Sequence, residues 1–379
     1  MKNIKTEILS GSTIAIALVP EAISFALLVG AAPQLGLWAA FFMAMSTSLF
    51  GGRPGLISGA TGATAVIMAG LVKSNGLEYL PLAVVVAGLI QGIVWLTGAW
   101  RVFRFIPSHV TSGFLIALAV LILLSQFNYL DVGSPDMLKK CLTLIVVGAS
   151  AIAMWVSSKR LKFPPALSAI AIGTILGIPL GLATVGDLAK VSSGFPSLTS
   201  LRIDLSSILI VLPYSLGMAI AGLTESLLTV ESVSHTIGEK GSKKKETLAQ
   251  SIGNIVSGLF GTIGGCVLVG QTNLNIGAGA RTRISSFTAA VLLATIILFF
   301  GEWIELIPLA GLIGVMLIVV IETGDWKKLR TKSVKVRTVL SVTILSAILT
   351  HNLAVGVVLG TITYYLIKRK RQKKSIAAL

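Results

Sequence analysis

Charged residues are scarce in this chain. Lys, Arg, Asp and Glu make up 12% of its 379 residues, whereas hydrophobic residues make up 54%. A soluble globular domain has about 25% charged residues, so this composition excludes an ordinary soluble protein. With a mean hydropathy of +0.90, the chain consists almost entirely of apolar runs separated by short charged patches. It is predicted to be an all-α polytopic membrane protein.

Cysteine and histidine are also scarce, with two and three residues respectively. Cys141 and Cys266 give neither a disulfide framework nor a metal-binding spacing, so we expect both to be small buried apolar residues. The histidines lie near the ends of apolar runs, and we expect them at the surface or as helix caps. Because no metal cluster and no nucleophile–base pair is visible, the sequence argues against an enzyme, a metal site and an organic cofactor.

The apolar runs divide into fourteen segments, several of which are shorter than the roughly 20 residues that a simple spanning helix needs. The short third and tenth segments predict half-helices that stop at mid-membrane. The segments lie at 8–30, 35–50, 58–72, 79–100, 108–127, 141–157, 164–182, 207–230, 247–262, 268–278, 284–301, 303–321, 337–350 and 353–367.

The net charge of +16 does not indicate a nucleic-acid partner, because the basic residues are distributed asymmetrically between alternate loops. Of the 31 Lys and Arg residues, 26 fall on one side of the predicted membrane. The other side receives Lys73, Lys139, Lys140, Lys190 and Arg202. The positive-inside rule then predicts a protein of the cell (inner) membrane with both termini cytoplasmic. The basic tail at 371–379 reads as an anchor at the anionic inner leaflet of the lipid bilayer.

The segments split into two sets of seven, at 1–190 and 205–370, joined by the polar linker 183–206. An odd number of spans per half inserts the second half upside down, which is the inverted-repeat design of many transporters. The third segment of each half carries a matching irregularity, SGATGATAVIMAG (58–70) and GGCVLVGQTNLNIGAGA (264–280). Each string has small residues, then a hydroxyl or amide, then a short apolar helix.

Two half-helices that begin at membrane depth would form a small positive pocket without Lys or Arg. Non-helical backbone at this depth is tolerated only where it lines a cavity or is buried in protein. The first turn of such a helix offers unpaired N–H groups and a positive dipole end to an anion. Thr61 can donate its hydroxyl, while Gly62 and Ala63 allow close approach to the backbone. The alternative is that these small residues only permit tight helix packing.

Two acids stand inside apolar runs of spanning length. Glu21, beside Pro20, lies in the first segment of the first half, and Glu225 lies in the first segment of the second half. Ionisable groups at membrane depth are costly and mark binding or coupling sites. We interpret Glu21 as the proton-coupling residue, because its protonation would offset the charge of an incoming anion. The alternative is a structural Glu bonded to backbone groups that Pro20 frees. Glu225 is a second proton site, a structural residue, or a sodium ligand together with Thr229.

Several long strings resemble the SulP family, the sulfate permeases and related anion transporters. The run ALVPEAISFALLVG (17–30) is similar to the family's opening motif, and FGGRPGLISGATGATAVI (50–67) to the signature that leads into its third span. In the second half, ESLLT (225–229), AQSIGNIVSGLFGTIGG (249–265) and NIGAGARTRIS (275–285) match in order and spacing. The resemblance covers nearly the whole chain.

The resemblance implies a core domain at about 8–100 and 207–301 and a gate domain at about 108–182 and 303–367. Substrate would lie between segments 3 and 10 and move by an elevator-like shift of the core. Carried over to this sequence, the implied site comprises Glu21 and Phe25 from segment 1, Thr61, Gly62 and Ala63 from segment 3, Glu225 and Thr229 from segment 8, and Leu268, Val269, Gly270 and Gln271 from segment 10.

The chain departs from the family pattern in three places. The family usually appends a cytoplasmic STAS domain, and we expect none here because the sequence ends at Leu379, just past the last segment. Sodium-dependent bicarbonate members carry Asp where Glu225 stands and Thr where Val269 stands, which weakens the case for sodium. Many members place Arg or Ser near Gln271 and Gly270, so the pocket of this chain is less positive.

We therefore expect a secondary active transporter of a small anion, such as bicarbonate, sulfate or a dicarboxylate, with H⁺ as the coupling ion. Sodium-coupled bicarbonate symport, with Na⁺ at Glu225 and Thr229, is the first alternative. An uncoupled anion exchanger or channel is the second. The motifs disfavour a nucleobase permease of the same architecture. A homodimer is compatible with the sequence, which does not decide it.

Overall fold

The computed structural model describes residues 4–130, 136–160, 164–191, 194–331 and 333–376. The basic residues Lys2, Lys162 and Lys332 lie outside the described residues, as do the last three residues of the predicted tail.

Helices form nearly all of the structure. The first part of the chain contains α1 (Ile4–Val29), α2 (Pro33–Phe50), α3 (Gly62–Asn75), α4 (Leu80–Thr97), α5 (Ser108–Leu130), α6 (Met137–Arg160), α7 (Pro165–Gly177) and α8 (Val185–Leu188). The second part contains α9 (Leu205–Ile237), α10 (Lys243–Leu259), α11 (Val269–Gly277), α12 (Ile284–Glu305), α13 (Leu309–Thr323), α14 (Val334–Thr350) and α15 (Leu353–Ile376). Two short strands, β1 (Ser58–Gly59) and β2 (Cys266–Val267), precede α3 and α11, and 3₁₀ turns occur at Leu77–Tyr79, Ala99–Phe105 and Trp326–Arg330.

Each of the fourteen apolar segments predicted from the sequence overlaps one of these helices, and α8 lies in the predicted linker. Among the described residues, six helical segments are long and apolar enough to cross a membrane. They are Ile4–Val29, Leu77–Thr97, Ser108–Phe127, Met137–Arg160, Leu205–Ile237 and Ile284–Glu305. The chain is thus a multi-pass membrane protein.

The helices of the third and tenth segments are short. The 14 residues of α3 and the nine of α11 give lengths of about 21 and 14 Å at 1.5 Å per residue. Neither length reaches across a hydrocarbon core of about 30 Å. Both helices are therefore too short to span the core alone, as is the 13-residue α7. We refer to α3 and α11 as half-helices for their length, and that they stop at mid-membrane stays a prediction.

Local sequence explains several helix ends. Pro33 and Pro165 stand in the first turns of α2 and α7, where a missing N–H costs nothing. Asp204 caps α9 by accepting from the N–H of Ser207 at 3.0 Å. Hydrogen bonds from the side chains of Ser206 and Ser207 and from the Ser207 backbone lower the pKa of Asp204 to about 2.

The helices pack in two groups. In the first group, α10 packs on α2 and α4, α12 on α1 and α2, and α9 on α3 and α4. In the second group, α6 packs on α7 and α13, and α14 on α5 and α15, while α5 also contacts α13. The groups meet where α1 contacts α7 and α13, where α9 contacts α15, where α3 contacts α5 and where α11 contacts α13. The half-helices thus lie at the boundary between the two groups.

The two cysteines differ in environment, although both are free. Cys266 is buried, as expected, but Cys141 is exposed. The expectation that both are buried is therefore wrong for Cys141. The residue lies near the start of α6, a peripheral helix whose apolar window is only 33% buried inside the protein.

Candidate functional site

A short antiparallel ladder connects the beginnings of α3 and α11. Ser58 pairs with Val267 and Gly59 pairs with Cys266. The backbones approach closely here, because a Cβ atom on Gly265 would lie 1.8 Å from the backbone oxygen of Gly59. Only glycine permits that approach. The ladder satisfies backbone groups that would otherwise be unpaired at membrane depth.

Buried polar side chains hold the second strand of this ladder in place. The Asn254 amide donates to the backbone oxygen of Gly265 at 3.1 Å and accepts from its N–H at 2.9 Å. The Ser226 hydroxyl accepts from the N–H of Val267 at 3.1 Å. Because Asn254 belongs to α10 and Ser226 to α9, both neighbouring helices fix the position at which α11 begins.

The first turns of α3 and α11 have free N–H groups. Neither N-cap residue, Thr61 for α3 and Leu268 for α11, makes a side-chain capping hydrogen bond. The backbone oxygen of Thr61 accepts from the N–H of Ala65, and that of Leu268 from the N–H of Thr272. The N–H groups before those donors have no intrahelical partner. Each half-helix therefore begins with several donors and a positive dipole end.

A cavity of about 620 Å³ lies against both first turns. Its far wall comes from the second helix group and includes Glu322, Asp325 and Lys327. Lys327 is the one basic side chain among the described residues that line the cavity. The structure brings together nine of the eleven predicted site residues along this cavity, namely Glu21, Phe25, Thr61, Gly62, Glu225, Leu268, Val269, Gly270 and Gln271.

The remaining two predicted residues, Ala63 and Thr229, do not line this cavity. Ala63 is fully buried in the first turn of α3. Thr229 lines a neighbouring cavity of about 490 Å³ that also reaches Glu225 and Val269. Its hydroxyl donates to the backbone oxygen of Glu225 at 2.7 Å and so follows the common intrahelical pattern of Thr. The sodium role of Thr229 stays a prediction.

Glu21 is bonded directly to the start of α11. Its side chain is 5% exposed, and the Gln271 amide nitrogen Nε2 donates to its Oε1 at 2.6 Å. This partner is a side-chain amide and not a backbone group that Pro20 frees. The amide oxygen of Gln271 is buried and has no hydrogen-bond partner among the described residues. The Glu21–Gln271 bond therefore leaves one unused acceptor beside the α11 N-terminus.

Glu225 has a different partner. The Cys266 thiol donates to its Oε2 at 3.1 Å, and the same sulfur lies 3.1 Å from the hydroxyl oxygen of Thr61. The Thr61 hydroxyl in turn lies 3.1 Å from that of Thr64. A row of polar groups thus connects Glu225 in α9 to the first turn of α3. Sequence reasoning missed the polar role of Cys266, because a lone cysteine in an apolar run gives no such signal.

Two further buried acids were also missed. Glu7 accepts from the backbone N–H groups of Arg281 and Thr282 at 2.7 and 2.9 Å. Glu246 accepts from the N–H of Gly52 at 2.8 Å. Each acid stands one residue before a predicted apolar segment, where a charged residue is ordinarily solvated. Both stabilise loop backbone and lie outside the cavity.

Comparison with known proteins agrees with the motifs found in the sequence. The Sulfate permease family model matches residues 4–134 and 137–347. YbaR of Bacillus subtilis strain 168 is 36% identical over 367 residues, which cover 95% of this chain and 76% of that protein. The Bicarbonate transporter BicA of Picosynechococcus is 30% identical over 362 residues, which cover 87% of this chain but only 63% of that protein.

Solved structures show the same helical fold. The transmembrane domain of a cyanobacterial BicA matches with a TM-score of 0.82 and 26% identity, over 94% of this chain and 98% of that domain. Murine Slc26a9 in the inward-facing state matches with a TM-score of 0.82 over 98% of this chain and 69% of that protein. At 16% identity, the second likeness supports the fold alone.

The family match identifies the class of protein to which the chain belongs. Its relatives are transporters, which confirms the expectation of a transporter and not an enzyme. The fold, the paired half-helix N-termini and the matched residues lead to one conclusion, that this chain belongs to the sulfate permease family.

Proposed function

We propose that the protein is a secondary active transporter that carries a small anion across the cell membrane together with a proton. The observation that carries this proposal is the 2.6 Å hydrogen bond between Gln271 and Glu21. It places a titratable carboxyl group in contact with the first turn of α11, where an anion would bind. A passive channel gains nothing from such a group.

The substrate is a small anion such as bicarbonate or sulfate, with small dicarboxylates as the wider class. Support comes from the family, which is named for sulfate, and from BicA, which is named for bicarbonate. Two helix N-termini line the cavity, and helix N-termini bind anions through free N–H groups and the dipole. Among the described residues that line the cavity, Lys327 is the one basic residue and belongs to the far wall, so backbone donors would do most of the binding.

An elevator movement of a core domain (8–100 and 207–301) against a gate domain (108–182 and 303–367) fits the two helix groups. A second cavity of about 690 Å³ lies near the far end of α3 and is lined by both groups, including Gly70, Lys73 and Tyr129. Gly62 in the first cavity and Gly70 in the second are separated by about 12 Å along α3. A shift of the core by about that distance would carry the site from one cavity to the other.

We further propose that the fourteen segments form two inverted repeats of seven, with both termini cytoplasmic. The antiparallel ladder between β1 and β2 supports this arrangement, since corresponding strands of the two halves face each other at the site. On this topology the cavity of the candidate site opens to the cytoplasm and the second cavity opens to the outside.

Sodium-coupled bicarbonate symport remains the alternative that a specific observation favours. Glu225 and Thr229 line the same small cavity, which would suit a cation. One contact weighs against it, because a thiol and not a hard oxygen ligand approaches the Glu225 carboxylate. The Thr229 hydroxyl donates its hydrogen to the backbone, which leaves its oxygen lone pairs available to a cation.

The test is uptake into liposomes that contain the purified protein. Labelled bicarbonate, sulfate and fumarate are each supplied with an inward proton gradient, an inward sodium gradient, or neither. Accumulation that only the proton gradient drives supports the proposal. Accumulation that only sodium drives supports the alternative, and equilibration without accumulation identifies an uncoupled exchanger or channel.

A further inference from the structure

We propose that the Gln271 amide is a reversible switch that reports the protonation state of Glu21 to the bound anion. This inference deepens the proposed proton coupling and rests on it. When Glu21 is charged, the amide nitrogen is held by the carboxylate and the amide oxygen is the free end. When Glu21 is protonated, its O–H donates to the amide oxygen, and the amide nitrogen becomes free to donate to the anion.

The position of Gln271 makes this reversal effective. It is the third residue of α11, within the turn whose free N–H groups would hold an anion. It lines the cavity beside Val269 and Gly270. An amide carries two donors on nitrogen and two acceptor sites on oxygen, so a half-turn about its last torsion exchanges a donor for an acceptor without moving the backbone.

The observed arrangement corresponds to one of the two states. Nε2 of Gln271 donates to Glu21 at 2.6 Å, and the amide oxygen is buried without a hydrogen-bond partner among the described residues. The side chain is only 5% exposed. An unpartnered oxygen at the start of a helix opposes anion binding, because it places negative partial charge where the helix offers positive charge. Protonation of Glu21 removes that conflict.

The first turn of α3, on the other side of the site, has no comparable switch among the described residues. Glu225 is bonded to the Cys266 thiol, which contacts the Thr61 hydroxyl. A hydroxyl can both donate and accept, so Thr61 can turn toward an anion whatever the state of Glu225. The asymmetry assigns proton sensing to the α11 side of the cavity.

Other charged groups face the same cavity, and their electrostatic effect on a bound anion does not depend on the Gln271 amide. Glu225 comes from α9, while Glu322, Asp325 and Lys327 come from α13 and the turn after it. Their direct electrostatic influence on an anion would remain if the Gln271 amide were removed. A substitution at Gln271 therefore separates the amide switch from simple charge repulsion.

The deciding experiment measures the KM for labelled sulfate, or for labelled bicarbonate where sulfate is not carried, from pH 6 to pH 8. Wild-type protein in liposomes is compared with Gln271→Met, which keeps the length of the side chain but has no amide. The matched control is Asn273→Leu, which removes an amide from the same helix and the same cavity. We expect the wild-type KM to rise about tenfold over this range, a coupling of ordinary size. The KM of Gln271→Met should change by less than about twofold over the same range. The KM of Asn273→Leu should rise by the same factor as that of the wild type, whatever its absolute value.

A Gln271→Met profile that rises like the wild type would overturn the switch, because Glu21 would then act through its charge alone. If Gln271→Met does not fold, Gln271→Glu serves instead. Two adjacent carboxyl groups share one proton, so its transport should persist only at the acid end of the range, and an unchanged profile would again refute the switch. Failure of the wild type to couple uptake to protons would refute the proposed function itself, independently of either variant.

Discussion

Glu21 and Glu225, two buried acids that line the same cavity, have different surroundings. Glu21 is bonded to an amide whose other end is left without a partner at the edge of the cavity. Glu225 is bonded to a thiol that is itself in contact with a hydroxyl. The first arrangement is incomplete and can change with the proton, whereas the second is satisfied as it stands. Burial alone therefore does not distinguish the two acids, whereas the partner of each carboxyl group does.

The largest effect is expected at Gly265, because its close approach to Gly59 holds together the strands that precede α3 and α11. Gly265→Ala would place a Cβ atom 1.8 Å from the backbone oxygen of Gly59 and force the ladder apart. We expect destabilisation of about 3 kcal/mol or more and loss of all transport. Thermal unfolding of the purified protein measures the loss of stability, and uptake into liposomes measures the loss of transport. Gly270→Ala is the matched control, since a Cβ there meets nothing within 4 Å, and equal stability losses in both variants would contradict the packing argument.

The second prediction concerns Glu21 and distinguishes its role in proton coupling from that of Glu225. Glu21→Gln removes the titratable group at the Gln271 contact, so we expect proton-driven accumulation to fall to background while the protein remains folded. Glu322→Gln is the control, because it removes another acid from the same cavity. The proposed role of Glu21 would be contradicted if Glu21→Gln retained full, pH-dependent uptake, or if Glu322→Gln lost proton coupling to the same extent.

Glu225→Gln should have a smaller effect. An amide can still accept from the Cys266 thiol, so we expect proton dependence to persist, with a loss of about 1 kcal/mol for the weakened hydrogen bond. Uptake under proton and sodium gradients checks the first expectation, and thermal unfolding checks the second. Loss of a sodium requirement in this variant and in Thr229→Val would instead establish the sodium site.

Much of the architecture could be predicted from the sequence because membrane burial leaves a strong signal. Every predicted apolar segment overlaps a helix, and the Gly- and Ala-rich strings at 58–70 and 264–280 coincide with the ladder and the half-helix starts. Nine of the expected site residues line one cavity. These results follow from the cost of unpaired backbone and of charge at membrane depth.

The partners of the site residues could not be predicted in the same way. The bonds from Gln271 to Glu21 and from Cys266 to Glu225 join residues that are 250 and 41 positions apart. Nothing in local composition specifies which side chains meet across a cavity. Glu7 was missed for a related reason, because an acid at the edge of an apolar run is solvated unless a distant loop covers it.

The smallest effect is expected at Asp204, which caps α9 and lies about 30 Å along that helix from Glu225. Its hydrogen bonds with Ser206 and Ser207 lower its pKa from 3.8 to about 2. Because the folded pKa is the lower one, the cap stabilises the protein above about pH 4 and loses that contribution as the pH falls toward 2. Asp204→Asn should therefore lower thermal stability slightly at pH 7 and make that stability depend less on pH, as unfolding curves between pH 3 and pH 7 would show.

The same variant should leave the pH profile of transport between pH 6 and pH 8 unchanged. A shifted transport profile would mean that proton sensing is not confined to the acids that line the cavity, which would contradict the role proposed for Glu21.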